Sequence, residues 1–364
     1  LTDAQTSLPL SAFVIVYMIS SPLFGSMADK VPRRLVIALG VALWSLATGL
    51  AAFATGFWSL LIARAFVGVG EAAYATLSPA LLSDFYPPER RNRILTIFYV
   101  AIPVGSAIGF GLGGWLGQTY GWRTAFMAVG FPGLLAALAI LFVPEPGRGT
   151  YDADKDVKPP AWMEAARTLL KNPNYAFAVW GYVLVTFASG ALADWFPTFL
   201  SRSRGLDLGE AGLVVGGATV VGGLGGTVLG GFLGDFFKNR GMTNAYLKVS
   251  SVTMLLAAAC ATAALFVHGK WAIAATIAGA QIFLWCYNAP INAMIVNAVP
   301  SALRARAVAL SILLIHLLGD AISPPIVGAI GRVSGSLASG LTLVPITMAL
   351  GGLVWGVGAR RVTA

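Results

Sequence analysis

Apolar stretches long enough to cross about 30 Å of hydrocarbon as a helix recur along the whole chain, separated by short polar breaks. Eleven stand near residues 8–27, 35–54, 57–82, 94–116, 124–142, 175–193, 208–233, 245–266, 271–298, 307–330 and 339–357. They are continuous and lack the ten-residue alternation of apolar and polar positions that a membrane barrel requires. The pattern predicts an all-α membrane protein with eleven spans. Composition agrees: 57% of the 364 residues are apolar and 11% are charged, against about 25% charged in soluble domains.

The net charge of +9 would suggest nucleic acid in a soluble protein, but its placement points to topology. Eighteen Lys and Arg residues lie on one alternate set of connections (28–34, 84–93, 143–174, 234–248, 300–306 and 358–364), and five on the other. The richer set is cytoplasmic by the positive-inside rule. Nucleic acid is therefore not an expected partner. Cys260 and Cys286 fall in different apolar runs without CxxC spacing, so small core residues are expected rather than a redox pair. No metal site and no cofactor are expected, and the first apolar run has no signal-peptide pattern.

The two halves of the chain echo each other. "GSMADKVPRR" (25–34) corresponds to "GFLGDFFKNR" (231–240), "PPERRNR" (87–93) to "PSALRAR" (300–306), and "GSAIG" (105–109) to "GDAIS" (319–323), at offsets of 206, 213 and 214. Nearly constant offsets with parallel topology indicate duplication, as in two-bundle transporters. The expected domains are an N-terminal bundle over 1–143, a cytoplasmic linker over 144–174 and a C-terminal six-helix bundle over 175–364. Only five spans fall in the first bundle, so a further span is expected before Leu1. In the linker, Trp162, Met163, Ala166 and Leu170 repeat at helical spacing, which fits either an amphipathic helix on the inner membrane surface or a solvated connector.

Gly105, Gly109, Gly113 and Gly117 recur every four residues, as do Gly222, Gly226, Gly230 and Gly234. Small residues on one helix face let backbones approach, so both stripes predict tight helix packing; a sliding contact between bundles is the other reading. No phosphate loop is present. Prolines within spans (Pro22, Pro79, Pro103, Pro290, Pro324 and Pro325) predict kinks, above all at "SPP" (323–325).

Ionisable groups within spans cost about 2.5–3.5 kcal/mol on insertion scales and usually face a cavity or one another. Arg64 and Glu71 are two helical turns apart, about 10 Å along the axis and close to the same face. With Gly68 leaving the stripe open between them, they suit a water-filled pathway; two structural charges, each paired with a neighbouring helix, are the alternative. His316 and Asp320, four residues apart, share a helix face and can hold or pass a proton, or serve only packing. Gln281, Trp285, Tyr287, Asn288 and Asn292 would line a polar cavity or join helices. A conformational latch is expected at the cytoplasmic ends, where Asp29 and Asp235 lie beside basic clusters. It comprises Gly25, Asp29, Arg33, Arg34, Arg91, Arg93, Asp235, Arg304 and Arg306.

Gly25-Ser-Met-Ala-Asp29-Lys30-Val-Pro-Arg33-Arg34 resembles the signature of the major facilitator superfamily, Gly-x-Leu-Ala-Asp-[Arg/Lys]-x-Gly followed by two basic residues, with Met27 and Pro32 replacing Leu and Gly. Within that superfamily, "RAFVGVGEAAYATLSPALLSDFYPPERRNR" followed by "FYVAIPVGSAIGFGLGG" resembles the spinster lipid transporters, as does "LTDAQTSLPLSAFVIVYMISSPLFGSMAD". The close resemblance covers residues 1–117. It implies two six-helix bundles with pseudo-twofold symmetry and no enzymatic activity. It also implies export or exchange of sphingolipids or lysophospholipids coupled to protons, with Arg64 and Glu71 functional beside an aspartate of the first helix. On this reading Glu71, Asp320 and His316 handle protons, while Arg64, Gly68, Tyr287, Asn288 and Asn292 bind substrate. Transport of drugs or organic anions on the same fold is the alternative. The expected partners are an amphipathic substrate, protons and the bilayer, and the expected form is a monomer. Short loops and tails suggest a bacterial inner membrane.

Overall fold

The computed structural model describes residues 3–28, 30–152 and 160–361. Its helices are α1 (Asp3–Met27), α2 (Arg33–Leu50), α3 (Phe57–Phe85), α4 (Pro88–Tyr120), α5 (Trp122–Gly130), α6 (Gly133–Leu141), α7 (Trp162–Lys171), α8 (Pro173–Arg204), α9 (Leu208–Asn239), α10 (Ala245–Phe266), α11 (Lys270–Trp285), α12 (Asn288–Asn297), α13 (Arg304–Ile315), α14 (Ser323–Ser334), α15 (Leu337–Leu341) and α16 (Leu343–Arg361). Among the described residues there is no strand. Ten helical stretches there are long and apolar enough to cross a membrane, where the sequence pattern predicts eleven. The difference lies at 8–27, within α1, which is not among the ten.

Local chemistry sets where helices begin, end and break. Asn172 caps α8, its side chain accepting from the N–H groups of Asn174 and Tyr175, with Pro173 in the first turn, where a missing donor costs nothing. Asp207 caps α9 by accepting from the Glu210 N–H at 2.9 Å. The predicted break at 323–325 is present: a π-turn spans His316–Asp320, and α14 then begins with Pro324 and Pro325 in its first turn. Pro290 likewise follows the break between α11 and α12. Pro79 and Pro103 instead lie inside the continuous helices α3 and α4.

The chain forms two compact units. One runs to Pro88 and takes in Gly105–Leu169 and Val299–Leu313; the other comprises Glu89–Val104, Leu170–Ala298 and the stretch from Leu314. The first is built on α2 and α3, where Val36, Ile37, Val41, Ala73, Leu77, Ala80 and Leu81 are buried together with Ala137 of α6 and Ala305 of α13. In the second, the buried Trp355 donates from its indole to Ala178 O at 3.1 Å and lies over Gly181. Large apolar side chains such as Leu39, Leu135, Leu213 and Leu353 point outward, as lipid-facing surfaces require. Of the linker, α7 buries Ala165 and Leu169 and turns Met163 and Leu170 outward.

The two glycine stripes differ. Along α9, a Cβ on Gly222 would lie 2.5 Å from Gln281 Cβ, and one on Gly230 would collide with the Cys286 carbonyl. This stripe is the contact between α9 and α11–α12, as predicted. Along α4, a Cβ on Gly105, Gly109, Gly113 or Gly117 would meet no atom within 4 Å among the described residues. The predicted packing is absent there, because four-residue spacing selects a face without saying what opposes it. Replacing Gly230 by Ala should therefore cost about 1–3 kcal/mol through overpacking, and replacing Gly113 by Ala no more than about 0.5 kcal/mol. Unfolding temperatures in detergent micelles check the contrast, and equal shifts would refute it.

Candidate functional site

Three groups of polar residues stand out; the first two each lie within one unit, and the third has a separate part in each. The first is carried by α3, which holds Arg64, Gly68 and Glu71 on one continuous helix. Ser59 fastens the start of that helix, its hydroxyl accepting from the N–H groups of Thr55 and Gly56 at 3.2 Å. Arg64 is half-buried, and its guanidinium lies over the Phe126 ring of α5, 5.7 Å from the centroid. Among the described residues it makes no salt bridge. Glu71 is also half-buried, and its charge acts on Tyr74 one turn further along. The clearance expected at Gly68 is filled by α1: a Cβ there would lie 2.6 Å from Phe13 O and 3.2 Å from Tyr17 N. Gly68 thus brings α1 against the stripe rather than opening it.

The second group belongs to the other unit. The His316 imidazole Nδ1 is 2.9 Å from both carboxylate oxygens of Asp320. Gly190 of α8 admits that carboxylate, since a Cβ there would lie 2.6 Å from Asp320 Cβ. Tyr182, also on α8, joins this pair to the predicted polar residues of α12. Its hydroxyl is hydrogen-bonded to Asn292 and Tyr287. The Tyr182 and Tyr287 rings meet edge to face at 5.0 Å, and Asn292 Nδ2 donates to Asn288 O at 2.8 Å. Gln281 Nε2 donates to Thr219 Oγ1 at 3.0 Å and its Oε1 accepts from the Trp285 indole, joining α9 to α11. Asp194 of α8 is exposed within the same span and lies one turn beyond Gly190.

The third group lies at the predicted latch. Asp84 of α3, 1% exposed, pairs with Arg33 through Oδ2 and with Arg304 through Oδ1 at 2.8 Å. The Gly149 N–H also donates to Oδ1, at 3.0 Å. Glu145 accepts from the Arg33 Nε at 3.3 Å and from the backbone N–H groups of Arg33 and Arg34. Arg34 further donates to Val143 O. Arg306 donates to Pro160 O, and a Cβ on Gly25 would lie 2.7 Å from Ala309 Cβ. In the other unit, Arg91 donates to Asn297 Oδ1 at 2.8 Å. Asp235 accepts there from Asn92 Nδ2 at 2.9 Å and from the Tyr246 hydroxyl at 3.0 Å. Arg93 is exposed, and Asp29 lies outside the described residues.

The fold is similar to that of the fucose:proton symporter of Escherichia coli, with a TM-score of 0.80 at 18% identity, covering all of this chain and 92% of that one. In sequence, "Protein spinster homolog 1" of Xenopus tropicalis is 33% identical over 91% of this chain and 66% of its own length. The "Probable sphingolipid transporter spinster homolog 1" of Arabidopsis thaliana is 28% identical over 98% of this chain and 78% of its own. The sequence profile of the Major Facilitator Superfamily matches residues 1–324. The chain belongs to the major facilitator superfamily, in its spinster branch. It spans just under two thirds of the Xenopus spinster protein.

In this superfamily member several site residues escape a reading by motif: Asp84, Asn92, Glu145, Asp152, Tyr182 and Asp194. For Asp84 a signal exists. Asp84 and Asn297 are 213 residues apart, the same offset as Arg91 and Arg304, so duplication carries the pair Arg304–Asp84 onto the pair Arg91–Asn297. One is ionic and buried, the other has a neutral acceptor. Asp84→Ala removes the carboxylate that two buried guanidiniums share, leaving Arg33 to Glu145 and Arg304 to Asp152, and should cost about 3–5 kcal/mol. Asn297→Ala removes one hydrogen bond to a charged group and should cost about 1.5–3 kcal/mol. Denaturation of both variants in micelles checks the ranking, which the reverse order would overturn.

Proposed function

We propose that this chain is a secondary active transporter that carries sphingolipids, lysophospholipids or similar amphipathic anions across a membrane, coupled to protons, by alternating access. The observation that carries the reading is Arg64: a guanidinium inside an apolar span, set over an aromatic ring with no salt bridge among the described residues. A cation retained at such cost is suited to meet an anionic group that comes and goes. The planar fork of a guanidinium matches a phosphate or carboxylate headgroup. Kinship to the spinster proteins, one of them named as a probable sphingolipid transporter, supports the substrate class.

Glu71, two turns along the same helix, takes up the proton. Arg64 trades between carboxylates and the headgroup, so arrival of substrate favours release of that proton. His316 and Asp320 form a second proton-handling pair, and the Tyr182–Asn292–Tyr287 network beside them contacts the substrate. Alternating access requires contacts at the helix ends that break and re-form, and those of Arg304 with Asp84 and Asn92 with Asp235 serve that purpose. Short loops suit a bacterial inner membrane, and one chain suffices for the cycle.

Reconstitution into proteoliposomes with an imposed pH gradient tests the scheme. The unaltered chain should accumulate lysophospholipids or sphingoid phosphates, and Arg64→Ala should reduce this by about tenfold or more, the worth of one charged hydrogen bond. Glu71→Gln should remove the dependence on the gradient. Full gradient-driven accumulation by Glu71→Gln would withdraw the proton assignment. Competition by organic anions but not by lipids would move the substrate class to the alternative.

A further inference from the structure

The segment between α6 and α7 is wired into the charged cluster of its unit. Glu145 takes the Arg33 Nε and two backbone N–H groups, and Asp152 takes the Arg304 Nη2 at 2.6 Å. Arg148 donates to Ala28 O at the end of α1. Between the two carboxylates, the Gly149 N–H donates to Asp84. Each arginine that holds Asp84 is therefore held in turn by a carboxylate of the connecting segment. Arg33 and Arg304 are 4% and 2% exposed, Glu145 and Asp152 23% and 16%. The outer carboxylates thus sit nearer to solvent than the pair they brace.

Gly149 has a second role. Its φ is +61° and a Cβ would lie 2.6 Å from Ser301 Oγ, so only glycine carries the backbone over the start of α13 without strain. A side chain here would lift the segment while leaving every charge in place.

We propose that residues 145–152 are a strap that sets how readily the Asp84 cluster opens, so that the connection between the halves is a working part of the gate. Glu145 and Asp152 hold Arg33 and Arg304 in the geometry that Asp84 needs. Without them, Asp84 is the carboxylate left to Arg33 and Arg304 among the described residues, and α13 loses its tether to the segment after α6. The role as a gate rests on the alternating-access reading, whereas the tethering itself does not.

Hydrogen exchange followed by mass spectrometry on the full chain in lipid nanodiscs, without substrate or gradient, tests the strap. Two variants are compared with the unaltered chain: Glu145→Gln with Asp152→Asn, which removes its charge, and Gly149→Ala, which removes its seat. Both should speed exchange about tenfold or more not only in 145–152 but also in 301–307 at the start of α13. Acceleration confined to 145–152, or none, would overturn the proposal. If the charge variant does not yield monodisperse protein, Gly149→Ala decides alone. Because the readout involves no transport, a chain that passes this test yet moves no lipid would sink the transport reading and leave the strap standing.

Discussion

A carboxylate buried to 1% exposure between two buried arginines is the constraint on which the arrangement of the first unit turns. Withdrawing such ions from water costs several kcal/mol each, and the cost is offset only when geometry and hydrogen bonding are complete. Asp84 meets that condition: Arg33 occupies Oδ2, and Arg304 with the Gly149 N–H occupies Oδ1. Satisfying one side chain therefore fixes the start of α2, the start of α13 and the path of the chain after α6. The close approach of Gly25 to Ala305 and Ala309 then follows, since α13 is already held against the end of α3.

Away from that cluster, packing comes largely from shape. Lipid tails are as apolar as leucine, so burying leucine against a neighbouring helix gains little, and helices associate where small residues let backbones touch. Gly40 and Gly70 do this between α2 and α3, and Gly222, Gly226 and Gly230 between α9 and α11–α12. Gly68 does it between α3 and α1, which explains why a glycine sits between Arg64 and Glu71. The substitution that would open room there would instead push α1 away. The polar stripe and its packing glycine thus share one face of α3, which carries charge at Arg64 and Glu71 and lies against α1 at Gly68 between them.

What the sequence makes legible follows from which physics is one-dimensional. Hydropathy and short motifs are properties of consecutive residues, and ten of the eleven expected spans and the break at "SPP" were readable from them. Arg33, Arg304 and Asp235 stood out because motif and duplication mark them. Packing depends on a partner, so the Gly105–Gly117 stripe promised contacts that the described residues do not make, and Gly68 suggested space that α1 fills. Asp84 was hidden for a different reason: it stands at a helix end beside "PPERRNR", where a charge reads as solvated, and only its partners reveal it as buried. Tyr182 and Asp194 lack any local pattern and become visible only when α8 is set beside the π-turn that carries His316 and Asp320.

Duplication copies register more faithfully than charge, and that difference explains why the connecting segment is used as it is. Arg91 and Arg304 occupy equivalent positions, and so do Asn297 and Asp84. An asparagine offers one neutral carbonyl oxygen, enough for the single bond from Arg91. A carboxylate offers two charged oxygens, and in the fold they take three donors from three separate stretches of chain. The acidic position keeps an acceptor for a third segment, and the two guanidiniums around its one carboxylate leave a net positive charge that further carboxylates gain by approaching. The connection that follows α6 brings Glu145 and Asp152 together with Arg148, a net charge of −1 that neutralises that excess. A chain with Asn in both positions would lose the charged acceptor that Arg33, Arg304 and the Gly149 N–H share, and with it the point where three stretches of chain meet.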